Sequence, residues 1–114
     1  MLKTKRIYEP PSSDDGERIL VDRLWPRGLS KEKARIDEWM KEIAPSDELR
    51  NWYRHEDAKW DEFRNSYFSE LETKKELVDR LRQKSRNKDV TLLFSTRAEK
   101  NNAVALKEYL ESQQ

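Results

Sequence analysis

Apolar positions along the chain fall into two compact runs and several longer, periodic stretches. Ile19-Leu20-Val21 and Val90-Thr91-Leu92-Leu93-Phe94 are nearly continuous and bounded by polar residues. That is the pattern of strands covered on both faces, as in a parallel sheet. Lys3 to Tyr8 predicts a further short strand, and Pro10 to Gly16, rich in Pro, Ser and Asp, predicts a loop. The stretch Trp25-Pro26-Arg27-Gly28 has to be irregular, because proline lacks an amide donor and restricts Trp25, while Gly28 permits a positive φ. Ser30 then has the character of a helix N-cap.

Further on, the periods compete. Ile36, Trp39, Met40 and Ile43 fit helical spacing, yet the segment is short and stops at Pro45, so the pattern does not decide between helix and strand. Ser46 or Asp47 predicts the cap of a turn of helix through Trp52. From about Asp57 a longer helix carries Trp60, Phe63, Tyr67, Phe68 and Leu71 on one side. After a break near Glu72 or Thr73, Leu77, Val78 and Leu81 continue at helical spacing to an end at Asn87, and a last helix carries Ala103, Leu106, Tyr109 and Leu110. Two strong strands separated by mostly helical sequence imply an α/β fold: a small, mainly parallel sheet of three or four strands with helices packed on its faces. The direction of the first strand stays open, since the short loop before Ile19 also suits an antiparallel hairpin.

Composition narrows the class. A chain of 114 residues is the size of one domain, here residues 1–114, and its four Trp, four Tyr and three Phe supply a modest core despite 41% charged residues. With 24 basic and 23 acidic side chains the net charge is +1, so no global field draws in nucleic acid or an anionic membrane, and any anion site must be local. Nucleic acid is disfavoured as a partner, and the oligomeric state is not legible. The absence of cysteine suits a reducing cytoplasm and excludes a disulfide framework or thiolate metal site. No stretch has the length of a membrane span or signal core.

Candidate chemistry concentrates beyond the carboxyl ends of the two strong strands, where ligands of open parallel sheets tend to bind. One segment is Asp22-Arg23-Leu24-Trp25-Pro26-Arg27-Gly28; the other is Ser95-Thr96-Arg97 with Asn101 and Asn102. If the strands are neighbours, Arg23, Arg27 and Arg97 converge, and guanidinium groups grip phosphate or carboxylate in bidentate fashion. Thr96, Asn101 and Asn102 add neutral hydrogen bonds, Asp22 orients an arginine or serves as a base, and Tyr8 joins the rim if the first strand is parallel. The expected partner is a small anionic ligand, phosphorylated or nucleotide-like; no cofactor and no metal are expected. The same residues admit a plainer reading, in which Asp22 and Arg23 pair with neighbours, Trp25 fills the core and Pro26 to Gly28 only turn the chain. His55, the single histidine, is read as packing or capping at a helix junction. With only two glycines, neither in a glycine-rich strand-to-helix turn, a P-loop, a dinucleotide fingerprint and a conventional methyltransferase loop are all missing. A second functional reading is a non-catalytic interaction or self-association module that uses the aromatic series from Trp52 to Phe68.

Taken together, Lys5 to Pro11, Arg18 to Gly28, Ala44-Pro45-Ser46 and Thr91 to Phe94 are similar, in order and spacing, to the YeaO-like family of the domain of unknown function 488. The resemblance spans essentially the whole chain, and the Val21-to-Gly28 string is its specific part. It implies a compact α/β fold in which a strand ending in Asp-Arg leads into an arginine-rich loop, and it implies an additional strand over 38–43 after a short helix from Lys31. It implies no established activity. Relatives in this pattern often carry an acidic residue and a His-Asn pair after the last strand, whereas this chain reads Arg97-Ala98-Glu99-Lys100-Asn101-Asn102 there. The resemblance therefore implies that, if this histidine donates a proton in relatives, the chain holds the same ligand without turning it over.

Overall fold

The computed structural model describes residues 1–112. Four strands, β1 (Leu2–Arg6), β2 (Glu17–Leu20), β3 (Glu38–Trp39) and β4 (Val90–Phe94), form one parallel sheet in the order β1-β4-β2-β3. Five helices accompany it: α1 (Lys31–Ala34), α2 (Asp47–Tyr53), α3 (Trp60–Leu71), α4 (Lys75–Asn87) and α5 (Asn102–Ser112). The first strand is parallel and pairs only with β4, so the hairpin with β2 does not form.

Alternation along the strands sorts the core into two layers. Leu2, Ile19, Val21, Val90 and Leu92 face the larger core, with Phe63, Tyr67 and Leu71 of α3, Val78 and Leu81 of α4, and Leu106 and Leu110 of α5. Leu20 and Leu93 face the other way, with Ile7 and Ala34, and are covered by Trp25, Leu29, Ile36 and Trp39 from the β2–β3 crossover. Ile19, Leu20, Leu92 and Leu93 are fully buried. Each such side chain is worth roughly 1.5–3 kcal/mol of transfer free energy, which explains why these two runs carry the clearest strand signal.

The contested segment resolves into two elements. Helix α1 starts at the cap Ser30, whose hydroxyl accepts from the Lys33 amide, and ends at Arg35 in a left-handed conformation. Only Glu38 and Trp39 then pair with β2, after which the chain tightens into a 3-10 turn over Lys41–Ile43. Neither a helix through Ile36 to Ile43 nor a strand over all of 38–43 exists. The side chains bury because Met40 and Ile43 reach the larger core while Ile36 and Trp39 pack beneath the sheet, so the helical spacing reflects two faces of an irregular path. The helix expected from Asp57 starts with a 3-10 turn, Asp57–Lys59, before α3.

The edge of the fold opposite the strand ends is held by charge. Arg18, 4% exposed, points its guanidinium at the Asp15 carboxylate and at the carbonyls of Ala34 and Arg35, tying β2 to the end of α1. Asp15 also accepts from Lys5 and from the Ser12 amide in a capping box. Burial pushes the Asp15 carboxyl up, but the bonds from Ser12, Lys5 and Arg18 outweigh it and leave it below its ordinary value. Gly16 follows with φ of 65°, and a Cβ there would lie 2.2 Å from the Asp89 carbonyl oxygen. Only glycine fits where the loop crosses that backbone.

Two predictions follow from this edge. Asp15→Ala leaves the buried Arg18 charge unpaired and should cost about 3 kcal/mol in urea unfolding, the range for breaking a buried ion pair from one side; Arg97→Ala, at an exposed position, should cost under about 0.5 kcal/mol. The second concerns pH: hydrogen bonds from Lys84 and Lys88 hold the nearly buried Glu17 carboxyl below its ordinary 4.5. Its contribution is therefore complete above that value and lost as pH falls through the lowered one. The thermal midpoint should drop on acidification below about pH 4.5, and Glu17→Gln should flatten the part of that drop due to this group.

Candidate functional site

At the carboxyl ends of β1, β2 and β4 the diverging loops enclose a cavity of about 390 Å³. Its floor is built by Asp22. One carboxylate oxygen accepts from both the amide and the hydroxyl of Ser95, at 2.9 and 2.8 Å, and the other accepts from the Asn102 side chain at 3.1 Å. Asn102 also donates to the Val21 carbonyl, and the Trp39 indole donates to the Asp22 carbonyl at 2.7 Å. The end of β2, the end of β4 and the start of α5 are thus pinned by one side chain. The α5 N-terminus opens beside the cavity and adds a partial positive charge there.

Charge on the walls is one-sided. Arg6, Arg23, Arg27 and Arg50 line the cavity, against Asp22 as the single carboxylate, an excess of three positive charges in a chain whose net charge is +1. Asp22 is itself committed to neutral donors. Arg23 makes one long hydrogen bond, 3.4 Å to the Ala44 carbonyl, while the Glu42 carboxylate lies 3.9 Å from its Nη1 and the Asp47 carboxylate 3.9 Å from its Nε, beyond hydrogen-bond distance. Arg50, on α2, gives one terminal nitrogen to Asp47 at 2.8 Å. Among the described residues, the buried side-chain nitrogens or oxygens without a hydrogen-bond partner are Arg23 Nε and Arg50 Nε, and both arginines line this cavity. Buried donors are ordinarily satisfied, so this orphaned pair sets the wall apart from the rest of the described interior.

The other walls are aromatic. Tyr53 stacks on Phe63 with centroids 4.2 Å apart and donates to the Lys100 carbonyl; burial, with the Asp57 charge, raises its phenol pKa. Tyr67, fully buried behind Arg23, donates to the Ile43 carbonyl and has its pKa raised well above the ordinary value, by burial and then by Glu70 and Asp22. On the β1 side the Arg6 guanidinium lies 4.5 Å over the Tyr8 ring, and the Tyr8 hydroxyl donates to the Arg27 carbonyl at 2.7 Å. Trp25 donates to the Leu29 carbonyl and meets Trp39 edge-on. His55, exposed and left-handed at φ of 58°, follows left-handed Arg54 at the end of α2 and closes the rim against Tyr53. This is the expected helix junction, yet the ring also faces the cavity.

Of the residues singled out in the sequence, Tyr8, Asp22, Arg23, Trp25, Arg27, Thr96 and Asn102 meet at this cavity. Arg97 and Asn101 are not among its lining residues. The Thr96 hydroxyl accepts from the Ala98 amide in a turn that holds Arg97, and Arg97 is exposed. Asn101 is buried as the N-cap of α5: its oxygen accepts from the Val104 amide, and its nitrogen donates to the Ala98 and Glu99 carbonyls. Arg6, Arg50 and His55 belong to the cavity, and sequence reasoning had not placed them there. Arg50 had one available signal, its place one turn into a helix capped by Ser46, but nothing local shows that this helix bends over the strand ends. Among the described residues no group of three His, Asp or Glu is placed to hold a metal ion, and no helix is long and apolar enough to cross a membrane. The aromatic series is mostly taken up inside: Phe63 and Tyr67 are buried and Trp60 and Phe68 pack against the core, while Trp52 is half-exposed under the Lys59 ammonium.

Comparison with known proteins places the chain in a family. The chain is 41% identical over 112 residues to the uncharacterized protein YeaO of Escherichia coli, covering 97% of both chains. It is 42% identical over 96 residues to the uncharacterized protein Rv3073c of Mycobacterium tuberculosis, covering 84% of this chain and 80% of the relative. No solved structure matches at a significant level. The family model described as the inactive DUF488-N3 subclade matches residues 1–114. The chain belongs to the YeaO-like DUF488 family, within that subclade.

Proposed function

We propose that this domain binds a small anionic compound in the cavity at the strand ends and holds it without covalent chemistry. The observation that carries this reading is the pair of orphaned guanidinium nitrogens, Arg23 Nε and Arg50 Nε, at one wall of a cavity whose lining has three surplus positive charges. A bound oxyanion would draw on the charge of both guanidinium groups, and a turn of either side chain would bring its buried Nε–H to the anion. Arg27, exposed and without an ion pair among the described residues, would add charge at the mouth.

Support for binding without turnover comes from the groups that would have to act. Both Asp22 oxygens are taken by Ser95 and Asn102, so a general base there would first have to break the joint that shapes the floor. The Tyr53 and Tyr67 hydroxyls are donated to carbonyls and held protonated by burial. The His55 ring has an aromatic neighbour but no carboxylate bonded to it among the described residues, unlike an oriented catalytic histidine. The description of the subclade as inactive agrees.

Calorimetric titration with inorganic phosphate tests the reading. Arg23→Gln and Arg50→Gln should each weaken binding about tenfold or more, the value of one charge-assisted hydrogen bond at roughly 1.5–3 kcal/mol. Their thermal midpoints should stay close to the parent's. Arg97→Gln should bind like the parent, and equal affinity in all four proteins would defeat the proposal.

A further inference from the structure

The two ends of the cavity differ in kind, and the difference names the ligand class. The sheet order places the β1 loop with Arg6 and Tyr8 on one side; on the other, Arg23 at the exit of β2 reaches the Ala44 carbonyl in the segment after β3, which leads into α2 and Arg50. Two to three strand spacings separate the two sides, roughly 10–14 Å at about 4.8 Å per spacing. At the β3 side the guanidinium groups have unmet donors. At the β1 side the opposite holds: Arg6 Nε is already bonded to the Ser95 and Thr96 carbonyls at 3.0 and 3.3 Å, and the guanidinium carbon sits 4.5 Å over the Tyr8 ring. It therefore offers a fixed plane more than a free charge. Guanidinium planes and tyrosine rings are the surfaces on which nucleobases stack.

Volume points the same way. A cavity of about 390 Å³ is of the size that takes a small organic molecule, so a lone phosphate leaves most of it empty. Its lining also includes Pro26, Pro45, Tyr53 and Phe63, apolar surface that suits a flat, largely apolar body. Thr96 adds one hydroxyl whose oxygen accepts from the Ala98 amide, leaving its own hydrogen available.

Resting on the anion-binding reading, we infer that the ligand is a nucleoside monophosphate, its phosphate between Arg23 and Arg50 and its base on the Arg6–Tyr8 plane. The same chemistry is carried by a free nucleotide and by the 5′-phosphorylated end of a short oligonucleotide. The test is calorimetric titration of the full chain with the four common ribonucleoside 5′-monophosphates, ribose 5-phosphate, inorganic phosphate and a 5′-phosphorylated trinucleotide. At least one nucleotide should bind tenfold or more tighter than ribose 5-phosphate. Tyr8→Ala, at an exposed position, and Arg6→Lys, which keeps charge but loses the plane, should each cancel that tenfold gain while leaving inorganic phosphate affinity unchanged; Tyr8→Phe should keep it. A trinucleotide that binds at least as well as the mononucleotide identifies a nucleic-acid end as the source, and one that is excluded identifies the free nucleotide. Ribose 5-phosphate matching all four nucleotides, or Tyr8→Ala weakening phosphate and nucleotide alike, overturns the base site and leaves the anion site standing. No binding of phosphate or of any nucleotide overturns both.

Discussion

The hold that Asp22 has on the strand ends is the interaction on which the rest of the site depends. Parallel strands do not meet through tight turns, so nothing in the backbone ladder dictates how their loops diverge. Here one carboxylate, accepting from Ser95 and Asn102, joins the exits of β2 and β4 to the first turn of α5, and the Asp22 carbonyl takes the Trp39 indole from β3. The cavity is the space left once those four elements are pinned. An acid so placed is scaffold: its hydrogen bonds go to donors inside the protein, and its one negative charge offsets only one of the four arginines on the cavity lining.

The contrast between two sets of arginines makes the point in energetic terms. Arg18 is almost wholly buried and completely answered, by Asp15 and two carbonyls, so it fastens β2 to α1. Arg23 and Arg50 are less buried but only partly answered, each with an orphaned Nε. Leaving a buried donor unmet costs roughly 1–3 kcal/mol, a penalty a protein tolerates where a ligand can relieve it. The exposed pairs at Glu42 and Asp47 do not repair the deficit, since screened surface contacts are worth little.

Much of this was legible in the residues, and the failures have physical causes. Ile19 to Val21 and Val90 to Phe94 read correctly because burial on both faces demands unbroken apolar character, and the Asp22-to-Arg27 segment read as a rim because it follows a strand end. The Arg97 expectation fails where the chain turns after β4: Thr96 lines the cavity, while Arg97, in the turn its hydroxyl closes, is exposed and outside the lining. Asn101 was chosen as a polar group near the rim, whereas helix capping claims every one of its hydrogen bonds. Arg50 and His55 were out of reach because their position depends on how α2 lies over the sheet, a tertiary relation with no local periodicity. The first strand's direction was undecidable for a similar reason, since its partner lies some ninety residues away.

That last relation bears on how the molecule is made. Strand β4, the last in the chain, is an interior strand flanked by β1 and β2, which do not touch each other in the sheet. During synthesis the first two strands therefore wait without their shared neighbour while α1 to α4 emerge, and both layers close together only when residues 90–94 slot between them. A nascent polypeptide gains the arginine-lined hollow in one late step, with no half-formed version of it along the way.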